Sequence, residues 1–263
     1  MGWPADVPAS AHLFVPSGGG PVPADLPDAL DVAGEDGHHL ARVLRLRVGE
    51  TVTVADGSGG WRLYRVGGIA GAGAAGPVVR LDATAGPDRE PAPAWRLAVA
   101  FALTKGDKPE LTVQKLTELG VDRILPVLAE RSVARPDADR ARTARERWCR
   151  IAREAARQCR RATLPVVEEL APLLGLAGHP GLVVAERGAP AADALRAPPG
   201  GELLAVVGPE GGLTGAEVED LAPWARVGLG PHILRAETAA LAAATVLGAG
   251  RRSAGVQGGP ARA

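Results

Sequence analysis

The sequence has few of the residues on which metal, disulfide and redox sites depend. Two of its 263 residues are cysteines, Cys149 and Cys159, and they lack the spacing of a zinc site or a redox pair. The five histidines share no metal-ligand spacing with one another or with the cysteines. We therefore expect no metal site, and a protein of the reducing cytoplasm.

Long apolar runs and nucleotide-binding motifs are also missing. No apolar run reaches the roughly 20 residues that cross a bilayer, and the N-terminal M-G-W-P-A-D-V lacks the basic start and apolar centre of a signal peptide. The P-loop pattern G-x-x-x-x-G-K-[ST] does not occur. Residues 71–76 fit G-x-G-x-x-G, but a strand-like segment follows them instead of a helix. We expect a hairpin loop there and no dinucleotide site.

Net charge is absent as well, because 30 basic and 30 acidic residues cancel. A uniformly basic nucleic-acid binder is thereby excluded. The charges are unevenly distributed, however, since residues 131–161 hold eleven arginines and four acids. A run of this kind is often a solvated helix face. Here the acids are too few to pair with the arginines, which favours a surface that contacts RNA phosphates.

Residues 1–83 have the pattern of a small β-rich module. T-V-T-V-A at Thr51–Ala55 and W-R-L-Y-R-V at Trp61–Val66 flank the turn D-G-S-G-G, which indicates a hairpin. Leu40–Arg47 fits a short helix. Residues 84–94 are rich in proline, glycine and charge, so we expect a linker there.

Residues 95–250 alternate between apolar strand-like segments and helical ones. This alternation favours an α/β domain with a parallel sheet. The predicted strands are Arg96–Leu103, Ile124–Leu128, Leu182–Ala185 and Leu203–Val207, and the predicted helices are Lys108–Gly120 and Asp139–Arg161. Residues 251–263 are polar and glycine-rich, and we expect them to form a flexible tail.

Two glycine-rich turns near the C-terminus are the most informative feature. L-L-A-V-V-G-P-E-G-G at Leu203–Gly212 and V-G-L-G-P-H-I-L-R-A-E-T-A-A-L at Val227–Leu241 each run from an apolar strand into a loop that a helix follows. Thr214 and Glu217 have the capping-box spacing that marks a helix start. Because open α/β sheets bind ligands at the carboxyl ends of their strands, we expect one cofactor to be bound by both turns.

An ordinary strand-to-helix turn would also explain G-P-E-G-G taken alone, since glycine and proline are common turn residues. The second turn changes the balance. In it Arg235, Glu237 and Thr238 lie together between an apolar strand and the alanine-rich helix Ala239–Gly248. A plain turn does not need these three side chains at one place.

The two turns resemble the signature of the bacterial 16S rRNA uridine-N3 methyltransferases, a family of the SPOUT class. Further motifs agree in the same order, over roughly residues 12–248. They are H-L with V-L-R and a glycine after it from His39, K-G-D-K-P-E at Lys105–Glu110, Q-K-L-T-E-L-G-V at Gln114–Val121, and E-R-S at Glu130–Ser132. One departure is Arg157, which stands where the family often has glutamate.

The resemblance implies an N-terminal PUA-like RNA-binding β-barrel and a C-terminal SPOUT domain with a deep trefoil knot, in a cytoplasmic homodimer. It implies an enzyme that uses S-adenosyl-L-methionine (SAM) to methylate N3 of one uridine, U1498 in the family, in the 16S rRNA of the small ribosomal subunit. The sulfonium of SAM already activates the methyl group, so such an enzyme works mainly by positioning. No membrane and no metal are implied.

We assign catalytic roles to Arg235, which would stabilise the uracil imide anion, and to Glu237, which would hold Arg235 or the substrate. A structural ion pair is an equal alternative for Arg235. The expected cofactor contacts are Glu186, Val207, Gly208, Pro209, Glu210, Gly211, Gly212, Leu229, Gly230, Ile233, Leu234, Arg235, Thr238, Ala239 and Ala240. The expected RNA contacts are Arg45, Lys105, Arg131, Arg153, Arg157, Arg160 and Arg161.

Two other functions remain open at this point. The first is a SPOUT methyltransferase that acts on another RNA, such as tRNA. The N-terminal barrel and the match along the whole chain speak against it. The second is an RNA-binding protein without catalysis, which would predict damaged cofactor loops, whereas both turns look intact.

Overall fold

The chain forms two compact units in a computed structural model that describes residues 2–15, 26–71, 76–191 and 198–254. Unit 1 comprises Met1–Ala92 and Ala156–Leu164, and unit 2 comprises Pro93–Ala155 and Pro165–Ala263. Within the described ranges, no helix is long and apolar enough to cross a membrane.

Unit 1 is built on a mostly antiparallel sheet. Its strands are β1 (Ala11–Phe14), β2 (Ala29–Val32), β3 (Thr51–Ala55), β4 (Gly60–Ala70), β5 (Val78–Ala83) and β6 (Asp88–Arg89). The order is β1-β3-β4-β5-β2 with β6 beside β4, and β1 and β3 run parallel. In the part of unit 1 that the structure describes, β1 and β2 do not pair, so hydrogen bonds do not close the sheet into the expected barrel.

The predicted hairpin is confirmed, and its turn has a clear physical cause. The Oδ1 atom of Asp56 accepts hydrogen bonds from the backbone N–H groups of Ser58 (2.6 Å) and Gly60 (3.0 Å). Gly57 and Gly59 both have positive φ angles, 80° and 103°, which glycine adopts without strain. The turn therefore sets the register of β3 against β4, in which Ala55 lies opposite Trp61.

The helix predicted at Leu40–Arg47 is shifted towards the N-terminus. A short α-helix, α1 (Gly34–His38), continues into one π-helical turn at His39–Val43. The helix stops there because Arg45 adopts a left-handed backbone (φ 54°), while the N–H of Leu46 bonds back to the carbonyl of Leu40. The sequence pattern of apolar residues did not reveal this early end.

The segment 156–164 returns to unit 1, which the sequence did not predict. The guanidinium of Arg157 lies 3.3 Å from the carboxylate of Asp36, and both side chains are less than 15% exposed. Arg160 donates hydrogen bonds to the carbonyls of Val7 (3.3 Å) and Ala9 (2.5 Å). The segment is thus held by charge-assisted hydrogen bonds, the stronger class in proteins.

The expected linker 84–94 is also largely part of unit 1. β6 pairs with β4, and the carboxylate of Glu90 accepts hydrogen bonds from the N–H of Ala162 (2.6 Å) and the hydroxyl of Thr163 (2.8 Å). The boundary between the units falls after Ala92. Although this stretch is rich in proline and charge, most of it is therefore bonded to the rest of unit 1 and does not act as a linker.

Unit 2 contains the predicted parallel sheet. Its strands are β7 (Arg96–Ala102), β8 (Arg123–Leu128), β9 (Val166–Val167), β10 (Ala171–Pro172), β11 (Leu182–Ala185), β12 (Glu202–Val207) and β13 (Ala225–Val227). The order is β10-β8-β7-β12-β11-β13, with β9 beside β8. The four strands predicted from the sequence are confirmed to within one residue at each end.

Helices cover both faces of this sheet, so the strands are buried on two sides. They are α2 (Lys108–Glu118), α3 (Ala138–Cys159), α4 (Gly215–Leu221) and α5 (Ala236–Ala254). In β7 the large side chains Leu97, Val99 and Phe101 belong to the core that includes residues of α2, α3 and α5, whereas the intervening alanines belong to the core that includes residues of α4. Each buried large side chain contributes about 1.5–3 kcal/mol by leaving water.

The expected tail begins later than the sequence indicates. α5 continues through residues 251–254, and the side chain of Arg251 bonds to the carboxylate of Asp122 and to the carbonyl of Gly120. These contacts fix a residue that composition alone had assigned to a flexible tail. Residues 255–263 lie outside the described residues, as do residues 72–75 of the predicted hairpin loop.

We predict that the stability of unit 1 depends on the neutral state of His12. Its Nε2 lies 2.9 Å from the carbonyl of Arg161 and its Nδ1 lies 2.8 Å from the hydroxyl of Thr53, an arrangement that a neutral imidazole satisfies by donating once and accepting once. Burial lowers its pKa from 6.5 to about 4. Because the unfolded chain binds the proton more readily, stability is full above pH 6.5 and falls as the pH drops towards 4.

The free energy of unfolding should fall by about 2 kcal/mol between pH 7.5 and pH 5. It is measured by urea titration, with hydrogen exchange of peptides from unit 1 as the signal. His12→Gln should remove this part of the pH dependence, while His38→Gln, at an exposed position, should keep it. An unchanged pH dependence in His12→Gln would contradict the assignment.

Candidate active site

Three loops of unit 2 meet at the carboxyl ends of neighbouring strands. They follow β11 at Glu186, β12 at Gly208 and β13 at Gly228. Since β12, β11 and β13 are parallel neighbours, their carboxyl ends share one edge of the sheet. Between the loops lies a cleft of about 270 Å³, close to the lower end of small-molecule sites.

The lining of the cleft contains most of the cofactor contacts expected from the sequence. Those expected residues that line it are Glu186, Val207, Gly208, Pro209, Glu210, Gly212, Leu229, Gly230, Ile233, Leu234 and Ala239. Residues of the cleft that the sequence did not single out are Val184, Ala185, Arg187, Leu213, Val218, His232 and Ala236. The two glycine-rich turns are therefore brought together, and the loop after β11 joins them.

Four expected contacts lie outside the cleft lining. A Cβ atom on Gly211 would lie 3.4 Å from the side chain of Arg131, so this glycine faces the loop that contains Arg131. Ala240 is fully buried in the core of unit 2. Arg235 and Thr238 are exposed and do not line the cleft. A sequence pattern identifies a loop more reliably than the direction in which each of its residues points.

The backbone of the first turn is held by local hydrogen bonds. The N–H of Gly212 donates to the carbonyl of Pro209 (2.8 Å), and Gly212 has a φ of 70° that suits glycine. The predicted capping box follows: the hydroxyl of Thr214 accepts from the N–H of Glu217, whose carboxylate accepts from the N–H of Thr214 (2.8 Å). α4 therefore starts at a fixed distance from the cleft.

The motif E-R-S at Glu130–Ser132 braces this turn from outside. The N–H of Glu130 donates to the buried carboxylate of Glu217 (2.7 Å), and Arg131 donates to the carbonyl of Gly211 (2.7 Å). The hydroxyl of Ser132 accepts from the N–H of Ala129 (3.0 Å), which folds the motif into a tight turn. These contacts give Arg131 a structural role, while its expected contact with RNA stays a prediction.

Four charged side chains lie near one another beside the cleft, and of these Glu210 lines it. The ammonium group of Lys108 lies 2.9 Å from a carboxylate oxygen of Glu210 and 3.6 Å from Oε2 of Glu237. The bond to Glu210 raises the pKa of Lys108 and lowers the pKa of Glu210. The positive charge of Arg235 partly offsets the raised pKa of Lys108 and lowers the pKa of Glu210 further. Lys108 and Glu210 are therefore both charged at neutral pH.

Lys108 is the main site residue that sequence reasoning missed. It lies in the motif K-G-D-K-P-E, from which the sequence predicts an RNA contact for Lys105 but no role for Lys108. The repeated lysine was the available signal. Nothing in the local sequence indicated that Lys108 meets two glutamates more than one hundred residues further along the chain.

The arginine-rich segment is less free than its composition suggested. Four of its arginines have acidic partners within 3.5 Å, which are Asp137 for Arg140, Asp139 for Arg142, Glu110 for Arg147 and Asp36 for Arg157. The acids within the segment are few, as its composition indicates, but Glu110 and Asp36 from outside the segment add to them. Arg45 and Lys105 are exposed, whereas Arg153, Arg160 and Arg161 are only partly exposed. Their contacts with RNA stay predictions.

Comparison with known proteins identifies the family. The RNA methyltransferase domain matches residues 90–248, and the RNA methyltransferase PUA domain matches residues 32–73. The chain is 36% identical over 230 residues to ribosomal RNA small subunit methyltransferase E of Bacillus subtilis, covering 82% of this chain and 88% of that one. The chain belongs to the family of ribosomal RNA small subunit methyltransferase E.

Other members of the methyltransferase E family agree. The protein of Mycobacterium bovis is 37% identical over 238 residues, which cover 85% of this chain and 88% of the relative. The crystal structure of the methyltransferase E of Neisseria gonorrhoeae, bound to S-adenosyl methionine, has a TM-score of 0.75 at 26% identity. That comparison covers 91% of this chain and 97% of the other.

We predict that Gly228 is required for the loop after β11 to lie against β13. A Cβ atom at Gly228 would lie 2.3 Å from the carbonyl oxygen of Ala189, and the N–H of Gly228 donates to the carbonyl of Pro190 (2.7 Å). Gly228→Ala should therefore destabilise the protein by about 1–3 kcal/mol. Gly215→Ala is the control, because its Cβ would meet no atom within 4 Å. Urea titration compares them, and equal midpoints would contradict the prediction.

Proposed function

We propose that this protein uses SAM to methylate N3 of one uridine in the 16S rRNA of the small ribosomal subunit. The observation that carries the proposal is the cleft between three loops at the carboxyl ends of β11, β12 and β13. Membership of the methyltransferase E family and a solved relative that binds SAM support it. A ribosomal substrate in turn implies a cytoplasmic location.

The residues of the cleft fit the chemical groups of SAM. Val184, Val207 and Leu229 provide apolar walls suited to an adenine ring. Gly208 and Gly212 line the cleft in the first turn, and neither has a side chain that would occupy ligand space. Gly230 has a φ of 135° and its α-carbon faces open space, so a ligand can approach the backbone there. When bound, SAM supplies an activated methyl group.

The protein's own task is to hold the uracil and to favour loss of the N3 proton. N3 lies on the Watson–Crick edge, so the base must be unpaired or turned out of a helix before it reaches the cleft. We assign to Arg235 the stabilisation of the negative charge that spreads over the uracil oxygens. Arg235 is exposed, and its charge acts on Lys108 and on Glu210, which lines the cleft. Glu237, in the first turn of α5, would orient Arg235 or the substrate.

Three further properties belong to the same proposal. The PUA domain and exposed basic residues such as Arg45 and Lys105 would bind the RNA. A twofold homodimer would cover apolar residues that are exposed on and before α5, including Val246 and Ile233. A trefoil knot is the remaining expectation, and the insertion of β12 between β7 and β11 is compatible with it.

We predict that filling the cleft abolishes SAM binding. Ala239 lines the cleft in the first turn of α5, where leucine is a good helix former, so Ala239→Leu should occupy ligand space without breaking the helix. Calorimetric titration should show a Kd for SAM raised by at least about tenfold. Ala249→Leu, at an exposed position of the same helix, is the control. If both variants bind SAM with equal affinity, SAM does not bind in this cleft.

We also predict that Arg235 acts on the chemical step. Arg235→Ala should lower the single-turnover rate at saturating RNA and SAM by about 10²-fold, because the group stabilises charge that develops in the transition state. The SAM affinity should stay unchanged. The assay follows tritiated methyl transfer to small subunits from a strain that lacks the modification. Arg150→Ala, exposed on α3, is the control.

The product of that assay tests the proposed function itself. Mass spectrometry of the nucleosides should find 3-methyluridine. A methyl group on uracil C5 or on a ribose would contradict the N3 assignment. Transfer to tRNA with none to small subunits would replace the proposed substrate, and full activity of Arg235→Ala would leave Arg235 a structural residue.

A further inference from the structure

We propose that Lys108 is a positioning residue that ties the two glycine-rich loops of the cleft together and thereby serves both SAM binding and methyl transfer. The proposal rests on the proposed function of the cleft. It is based on one ammonium group that meets a carboxylate from each loop: Glu210 at 2.9 Å and Glu237 at 3.6 Å.

Lys108 is anchored at its backbone. It is the first residue of α2, its carbonyl accepts a hydrogen bond from the hydroxyl of Thr112 (2.9 Å), and the next residue, Pro109, is buried. Proline at this position suits a helix start because its fixed φ is already helical. The helix therefore holds the base of the lysine side chain, and the side chain extends from it to the two glutamates.

The two glutamates that it meets have different environments. Glu210 lies in the turn after β12, and about half of its side chain is exposed. Glu237 lies in the first turn of α5 with its side chain 14% exposed, and its Oε2 atom is buried without a hydrogen-bond partner. The ammonium group of Lys108 is the cation next to that oxygen. Removal of the lysine would leave a largely buried carboxylate without compensation, which is costly.

The balance of charge extends this effect to the loops. Glu210, Glu237 and Arg235 are the charged groups that face Lys108, and two of the three are negative. With Lys108 present, its charge lies between the two carboxylates and attracts both. Without it, like charges on the two loops repel, and the loops that line the cleft should separate. One residue then influences the cofactor through Glu210 and the chemical step through Glu237.

The experiment compares five forms of the full-length protein, namely wild type, Lys108→Met, Lys108→Arg, Glu210→Gln and Lys115→Met. Lys115→Met is the matched control because Lys115 lies on the same helix and pairs with Glu118 (2.9 Å). Calorimetry gives the Kd for SAM, and single-turnover methylation of small subunits gives the rate at saturating SAM and RNA. Circular dichroism checks that each variant is folded.

Lys108→Met should raise the Kd for SAM about fivefold to tenfold and also lower the rate at saturation. Glu210→Gln should also raise the Kd for SAM, because it removes the carboxylate that Lys108 meets on the first loop. Lys108→Arg should restore both quantities to within about threefold, since arginine keeps the charge and can donate to both carboxylates. Lys115→Met should match wild type.

Several results would overturn the proposal. Wild-type Kd and rate in Lys108→Met would do so, as would equal losses in Lys108→Met and Lys115→Met. Failure of Lys108→Arg to restore either quantity would show that charge is not what matters. If Lys108→Met does not fold, Glu210→Gln and Lys108→Arg still decide the case. A wild-type protein that binds no SAM would instead contradict the proposed function.

Discussion

The parallel alignment of β12, β11 and β13 is the constraint on which the candidate site depends. Because the strands run in one direction, the three loops that follow them emerge along one edge of the sheet. The alternation of side chains between the two cores keeps that sheet buried on both faces. Loops of little regular structure can then line a defined cleft.

Polar contacts from outside the sheet complete the cleft. The motif at Glu130–Ser132 holds the first turn through Glu217 and Gly211, and the start of α2 reaches both loops through Lys108. Each contact joins segments distant in sequence. They hold the loops that follow the strands. The sheet therefore fixes where the cleft lies, and these contacts bear on the loops that line it.

The sequence predicted the features that depend on local pattern. The glycine-rich turns after strands, the capping box at Thr214 and the alternation of strands and helices are each confirmed, because neighbouring residues determine them. The sequence did not predict which residues pair over long distances in the chain. The partner of Arg157 is Asp36, and the partners of Lys108 are glutamates of two later loops. A count of charges within one segment cannot include an acid that folding brings from elsewhere.

The return of residues 156–164 to unit 1 has a consequence for how this chain can be divided. Unit 1 is assembled from two separate stretches of sequence, so a gene fragment that ends at Ala92 encodes an incomplete unit. Such a fragment would leave the carboxylates of Asp36 and Glu90 and the Nε2 atom of His12 without the partners that residues 156–164 supply. Unit 1 therefore cannot be moved to another protein as the continuous stretch that ends at Ala92, because residues 156–164, which follow the first stretch of unit 2 in the chain, are part of it.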